Sequence, residues 1–243
     1  MDQIELFRKE TNDRISDQAK NQKLKESSGE FLVESIKSQY SYNFNWLGRP
    51  IIQYPQDIVA IQELIWNIKP DLIIETGIAH GGSLILSASI LELIGKGRVL
   101  GIDIDIRKHN KGMIENHSMF NRIDMIEGSS ISSDIIEEVS RIVKDKKSVM
   151  VFLDSNHTHD HVLEELRLYS PFVTKDSYLV CFDTLVEDLP NDMFQDRPWS
   201  VGNNPKTAVY QFLKEDNNFI IDESINNKLM FSAAPDGYLK RIN

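Results

Sequence analysis

The sequence predicts an α/β fold built on a mostly parallel, seven-stranded sheet with one antiparallel strand and helices on both faces. Two observations carry this. From residue 70 onward, short apolar runs of strand length alternate with segments of helical periodicity, the pattern of parallel strands joined by crossover helices. The first apolar run then ends in a glycine-rich turn that opens a helix, Leu72-Ile73-Ile74-Glu75-Thr76-Gly77-Ile78-Ala79-His80-Gly81-Gly82-Ser83. Doubly wound sheets hold ligands at such a junction, outside the carboxyl ends of their strands.

The elements follow in order. Residues 1–42 read as polar helix with loose apolar faces (Ile4, Phe7, Ile15, Phe31, Leu32, Ile36). They form an N-terminal helical extension, a lid or oligomer arm, ahead of a main domain at 43–243. An aromatic loop, 43–50, leads to a helix over 57–67. Strands are expected at 72–74, 98–102, 125–127, 148–153 and 177–182, with helices at 83–94, 133–143 and 158–169 between them. A proline-containing acidic loop over 186–205 precedes a helix at 206–214. Strands at 219–221 and 229–233, separated by the polar Asn226-Asn227, read as a closing hairpin, hence the antiparallel strand.

A chain of 243 residues fits one decorated α/β domain and needs neither disulfide nor structural metal to fold. Its one cysteine, Cys181, suits a reducing compartment. Residues 1–5 lack the basic start of a secretion signal, and no apolar run reaches membrane-spanning length. A cytoplasmic location is therefore expected. The formal net charge of −10 repels phosphate backbones and argues against nucleic-acid binding.

The glycine turn is spaced Gly-x-x-x-Gly-Gly, which is neither the dinucleotide fingerprint nor a P-loop. Gly77 is read as the sharp turn, and Gly81 and Gly82 as room for a ligand. About twenty-five residues on, the second strand ends Gly101-Ile102-Asp103-Ile104-Asp105-Ile106-Arg107. A carboxylate there can accept hydrogen bonds from both hydroxyls of a ribose. Asp103 is the better placed; Asp105 either joins it or fixes the loop by pairing with Arg107. Glu75 then separates the candidate ligands. A diphosphate is repelled by a carboxylate beside the turn, whereas the sulfonium and ammonium of S-adenosylmethionine are attracted. Ser129 and Ser130, after the third strand, are placed to donate to an adenine, with Ile131 to pack on it.

The fourth strand ends in three histidines and two aspartates within Asp154–His161. The comparison with a His-x-His-x-Asp-His zinc-hydrolase loop fails because the run is one residue short and no histidine follows His161. Asp154 and Asp183, at the tips of adjacent strands, instead suit Mg²⁺, which would activate a substrate hydroxyl. His157, nearest the strand tip, is the candidate base. His157 and His161 are one turn apart and expected to share a face. Trp46 and Trp199 are candidates for a stacking wall.

With these residues, the sequence resembles the cephalosporin hydroxylase family from about Asn43 to the C-terminus. The resemblance rests on Asn45-Trp46-Leu47-Gly48, the 75–83 and 101–107 segments, the run from Leu153 to Val162, Phe182-Asp183-Thr184 and Asn204-Pro205-Lys206-Thr207-Ala208-Val209. It implies a Rossmann-like class I methyltransferase fold, and many members are sugar O-methyltransferases. By resemblance, Glu75, Gly77, His80, Gly81, Gly82 and Ser83 hold the methionine part of S-adenosylmethionine. Asp103 with Asp105 holds the ribose, and Ser129 and Ser130 the adenine. Asp154 touches the cofactor and shares a Mg²⁺ with Asp183. Some members carry Glu-Asp where this chain has Phe182-Asp183, so one ligand is lost; a water or Asn156 would fill the position. The expected activity is O-methylation of a sugar hydroxyl in a glycan or glycosylated metabolite, by an enzyme whose N-terminal arm suits self-association. The rivals are a sugar-nucleotide or NAD(P)-dependent enzyme and a non-catalytic binding protein that kept the fold.

Overall fold

The computed structural model describes residues 2–243. Two helices, α1 (Gln3–Lys20) and α2 (Gln22–Lys37), come first. α1 buries no side chain; it rests on the far end of the chain through the Gln18 side chain, which donates to the Asn227 carbonyl at 3.4 Å. Asn43–Pro50 is no loop. It forms β1 (Phe44–Trp46) and β2 (Arg49–Ile51), an antiparallel pair. The pair is closed by Leu47 and Gly48, both at positive φ, as a tight two-residue hairpin requires. Aromatic and β-branched residues flanking a residue–glycine pair were the signal for it.

After α3 (Pro55–Ile68) the alternation appears: β3 (Leu72–Thr76), α4 (Gly82–Ile94), β4 (Arg98–Asp103), α5 (Lys108–Glu115), β5 (Ile123–Glu127), α6 (Ser133–Val143), β6 (Val149–Leu153), α7 (His159–Tyr169) and β7 (Tyr178–Cys181). The chain closes with α8 (Pro205–Glu215), β8 (Phe219–Ile221), α9 (Glu223–Leu229) and β9 (Tyr238–Arg241). The strands form one seven-stranded sheet in the order β5-β4-β3-β6-β7-β9-β8. β3 to β7 pair in parallel, and β9 runs antiparallel between β7 and β8.

The antiparallel strand is as expected, but its position is not. Residues 229–233 do not form a strand. Asp222 accepts from the Ser224 amide and so starts α9, which absorbs Asn226 and Asn227. The Asn226 side chain donates to Asp236 at 2.8 Å, and β9 begins only at Tyr238. α5 was also unexpected: its eight residues lack a clear apolar stripe, and it buries only Asn110 and Ile114.

Period-two alternation divides the core. Ile73, Val99, Met150, Phe152 and Val180 face α3 and α4. Leu72, Ile74, Leu100, Val151, Leu153, Leu179 and Cys181 face α6, α7 and α8. Both faces are covered, so the strands read as continuous apolar runs. β3 lies where the winding reverses, and its carboxyl end opens the crevice.

Candidate active site

Two cavities meet at the carboxyl ends of the parallel strands. The first, about 310 Å³, is walled by the residues just beyond β3 to β6: Gly77 and Ala79, Asp103 and Ile104, Gly128 to Ser130, and Asp154 to Asn156. His161 and Trp199 close its sides. The second, about 340 Å³, is walled by Tyr42, Gln53, Tyr54, His157, Phe182, Asp183, Phe194 and Arg197. Ala79, Asp154, Ser155 and Trp199 belong to both. A larger hollow, about 610 Å³, lies under α1 between α3 and α9 and shares no residue with either.

Backbone geometry builds the first cavity. Gly77 has φ +88°, and a Cβ there would lie 2.0 Å from the Asp154 carbonyl oxygen. Glycine is required because the β3 and β6 loops touch. Gly81 and Gly82, read from their spacing as room for a ligand, are each required by close protein packing on the side where a Cβ would stand. A Cβ on Gly82 would meet the Pro50 carbonyl at 2.2 Å, and one on Gly81 (φ +80°) would meet Ile114 at 2.5 Å. The turn is thus wedged between the β1–β2 hairpin and α5. Arg49 reinforces it, its Nε donating to the His80 carbonyl at 3.0 Å. His80, Gly81, Gly82 and Ser83 do not line the cavity.

Asp103 sits on the cavity wall. Its carboxylate accepts from the Ile78 amide at 2.7 Å and the Asp105 amide at 3.1 Å, so it also fixes the glycine turn. Asp105 does not line the cavity, and among the described residues it makes no ion pair with Arg107. Ser129 and Ser130 face the cavity, but Ile131 does not; Ile104, 74% exposed, takes the apolar position instead. An apolar residue left bare beside an acidic strand tip was the missed signal.

Glu75 is buried beneath the turn, beside a narrow void bordered by Gln53, Phe152, Asp154 and Phe182. One carboxyl oxygen accepts from the Ser83 hydroxyl, and the other has no partner among the described residues. Burial pushes its pKa up to about 7, with the Ser83 hydrogen bond pulling the other way. Asp154 is also held well above the usual carboxylate range, first by burial, then by Asp183, Glu75 and Glu165. Four carboxyl groups therefore surround the junction of the cavities.

At that junction, ligand atoms of Asp154, His157 and Asp183 lie within 4.8 Å of one another. His157 Nε2 is 3.2 Å from Asp183 Oδ2. Asp183 is held at φ +55°, a conformation that non-glycine residues adopt at a cost. The Asn156 Oδ1 is engaged by its own loop, accepting from the Thr158 amide and hydroxyl. The third group at the cluster is His157. The three histidines part company. His157 precedes α7 and faces the second cavity, while His161 faces the first, with Nε2 3.3 Å from both Ser130 and Ser155 hydroxyls. His159 bonds Thr207 and Gln211 of α8. Trp199 packs edge-on against His157, with 4.7 Å between ring centroids. Trp46 is remote from both cavities and donates to Ser89 at 3.0 Å.

Comparison with known proteins agrees with this architecture. Residues 38–242 match the family model described as Rhamnosyl O-methyltransferase/CmcI. The Rhamnosyl O-methyltransferase of Mycobacterium tuberculosis is 29% identical over 218 residues, covering 86% of this chain and 85% of that protein. The protein of the same name from Mycobacterium leprae is 27% identical over 221 residues, covering 86% and 90%. A solved structure of CmcI with Mg-SAM superposes with a TM-score of 0.60 at 16% identity, covering 83% of this chain and 78% of that one; it shares the fold.

Proposed function

The chain belongs to the Rhamnosyl O-methyltransferase/CmcI family, and on that premise we propose that it transfers the methyl group of S-adenosylmethionine to a sugar hydroxyl. The acceptor in this reading is a rhamnose-like sugar of a glycan or glycosylated metabolite, met in the cytoplasm. One observation carries the proposal: Asp154 is shared by two cavities of small-molecule size and lies amid carboxyl groups that await positive charge. A methyl donor in one cavity and an acceptor in the other would meet there. In this reading Asp103 holds the ribose, and Ser129 and Ser130 hold the adenine. Gly77, His80, Gly81, Gly82 and Ser83 shape the turn that contacts the methionine part, and Glu75 supplies negative charge beneath it.

The donor set fits a hard cation, because Asp154 and Asp183 offer two carboxylates within reach of each other. Mg²⁺ bound there would lower the pKa of the acceptor hydroxyl. His157, whose Nε2 lies 3.2 Å from Asp183 Oδ2, would accept the hydroxyl proton. The acceptor oxygen forms a bond to the methyl carbon as the carbon–sulfur bond breaks, leaving S-adenosylhomocysteine. The protein's contribution is chiefly alignment of the two reactants.

The test is calorimetry with S-adenosylhomocysteine alongside turnover on rhamnosides. Wild type should bind the cofactor product, and turnover should fall on EDTA treatment and return with Mg²⁺. Asp183→Asn should lower kcat about a hundredfold or more while product affinity stays within a few-fold. An enzyme that binds NAD(P) but not S-adenosylhomocysteine would overturn the reading.

A further inference from the structure

The acceptor cavity contains one cation that the proposed chemistry leaves unused. Among the described residues lining the two strand-tip cavities, Arg197 is the sole lysine or arginine. It stands 5.3 Å over the Trp199 ring, and no carboxylate among the described residues pairs with it. Two carboxylates earlier in the same loop are engaged by other groups. Asp188 accepts from Lys206 Nζ at 2.7 Å, and Glu187 accepts from the Gly202 amide at 2.8 Å and from the Asn204 side chain.

The loop is also built to present this side chain. The Arg197 amide closes a turn onto the Phe194 carbonyl at 3.1 Å. The next carbonyl, that of Pro198, is held by the Asn203 side chain at 3.0 Å, and the Asn203 Oδ1 accepts from the His159 amide at the start of α7. The guanidinium is therefore carried on backbone tied through Asn203 to the start of α7, with its planar donors free for a carboxylate or phosphate. The Trp199 ring lies against both Arg197 and His157, so the cation and the candidate base flank one aromatic side chain of the same cavity.

We propose that Arg197 is the anion-recognising residue of the acceptor cavity. The acceptor sugar then carries a carboxylate or phosphate in addition to the hydroxyl that is methylated. The inference rests on the methyltransferase reading and narrows its substrate class.

Matched probes test it: methyl rhamnoside, methyl glucuronoside and rhamnose 1-phosphate, each followed by S-adenosylhomocysteine release and by binding to the S-adenosylhomocysteine-loaded enzyme. The expected result is a preference of at least about tenfold for one charged probe over the neutral one, as for a hydrogen-bonded charge pair. The glucuronoside and phosphate arms tell which anion is read. Arg197→Ala should abolish the preference and Arg197→Lys retain part of it, both with unchanged affinity for S-adenosylhomocysteine. Equal handling of charged and neutral probes by wild type, binding included, overturns the proposal, as does a preference that survives Arg197→Ala. Loss of S-adenosylhomocysteine binding by wild type would instead overturn the methyltransferase reading beneath it.

Discussion

The two cavities share Asp154 but are made in different ways. The cofactor-side wall continues the sheet: beyond the strand ends, Gly77 donates to the Ile102 carbonyl at 2.8 Å, Gly128 to that of Asp103 at 2.8 Å, and Asp154 to that of Thr76 at 2.9 Å. Most of its residues lie at the strand ends or one to three positions past them, fixed by the same main-chain ladder that forms the core. The acceptor-side wall is collected from the 36–54 segment, the 154–157 turn, the 182–199 loop and Ala233. Side-chain hydrogen bonds hold much of it. One half is a consequence of the fold, whereas the other can be rebuilt by changing loops, as expected where specificity varies on a constant scaffold.

The contrast breaks most severely at Gly77. Alanine there must accept a positive φ and drive a methyl group into the Asp154 carbonyl. The cost is about 2–4 kcal/mol, from left-handed strain and overpacking together. Chemical denaturation of Gly77→Ala should show that loss, with S-adenosylhomocysteine binding lost in the molecules that fold. An alanine variant of wild-type stability would mean that the cofactor half is as pliable as the acceptor half.

Next in size is the charge stored under the turn. Unfolded Glu75 releases its proton near 4.5, whereas the folded protein holds it to about 7. The native state thus binds more protons between those values, so stability falls as pH rises through the window and the loss is complete above it. Glu75→Gln should flatten this dependence, gaining about 2–3 kcal/mol on wild type at about pH 8 relative to about pH 4.5. Thermal melts across that range would read the slope. An unchanged slope would place the titrating charge outside the cofactor half.

The same division explains what the sequence disclosed. The sheet, its antiparallel strand and the tips at Asp103, Asp154 and Asp183 were legible because apolar periodicity marks each strand end, where a crevice must open. The purposes of Gly81 and Gly82 were not, since Pro50 and Ile114 meet them only after long-range packing. Nor were residues 229–233: their apolar run looked like a strand, and the Asp222 cap that turns the preceding segment into helix is local chemistry weaker than periodicity on the page. Arg197 carries no periodic signal, and it reaches the cavity only through Asn203 and the start of α7.

Asn204 offers the finest separation of the two halves. It is fully buried, and its two ends do different work. Oδ1 accepts from the Lys206 amide at 2.9 Å and the Thr207 amide at 3.3 Å, capping α8. Nδ2 donates to Glu187 and, at 2.9 Å, to the Ser200 carbonyl, pinning the acceptor loop. Asn204→Ala removes both and should cost about 1–2 kcal/mol. Asn204→Asp keeps the cap but faces Glu187 with a second carboxylate, so it should restore the helix and still release the loop. Both variants should raise acceptor KM several-fold and change S-adenosylhomocysteine affinity less, because Trp199 alone brings this segment to the cofactor cavity. If Asn204→Asp recovered acceptor KM along with stability, capping alone would shape the acceptor side, and its loop would be as fold-determined as the cofactor wall.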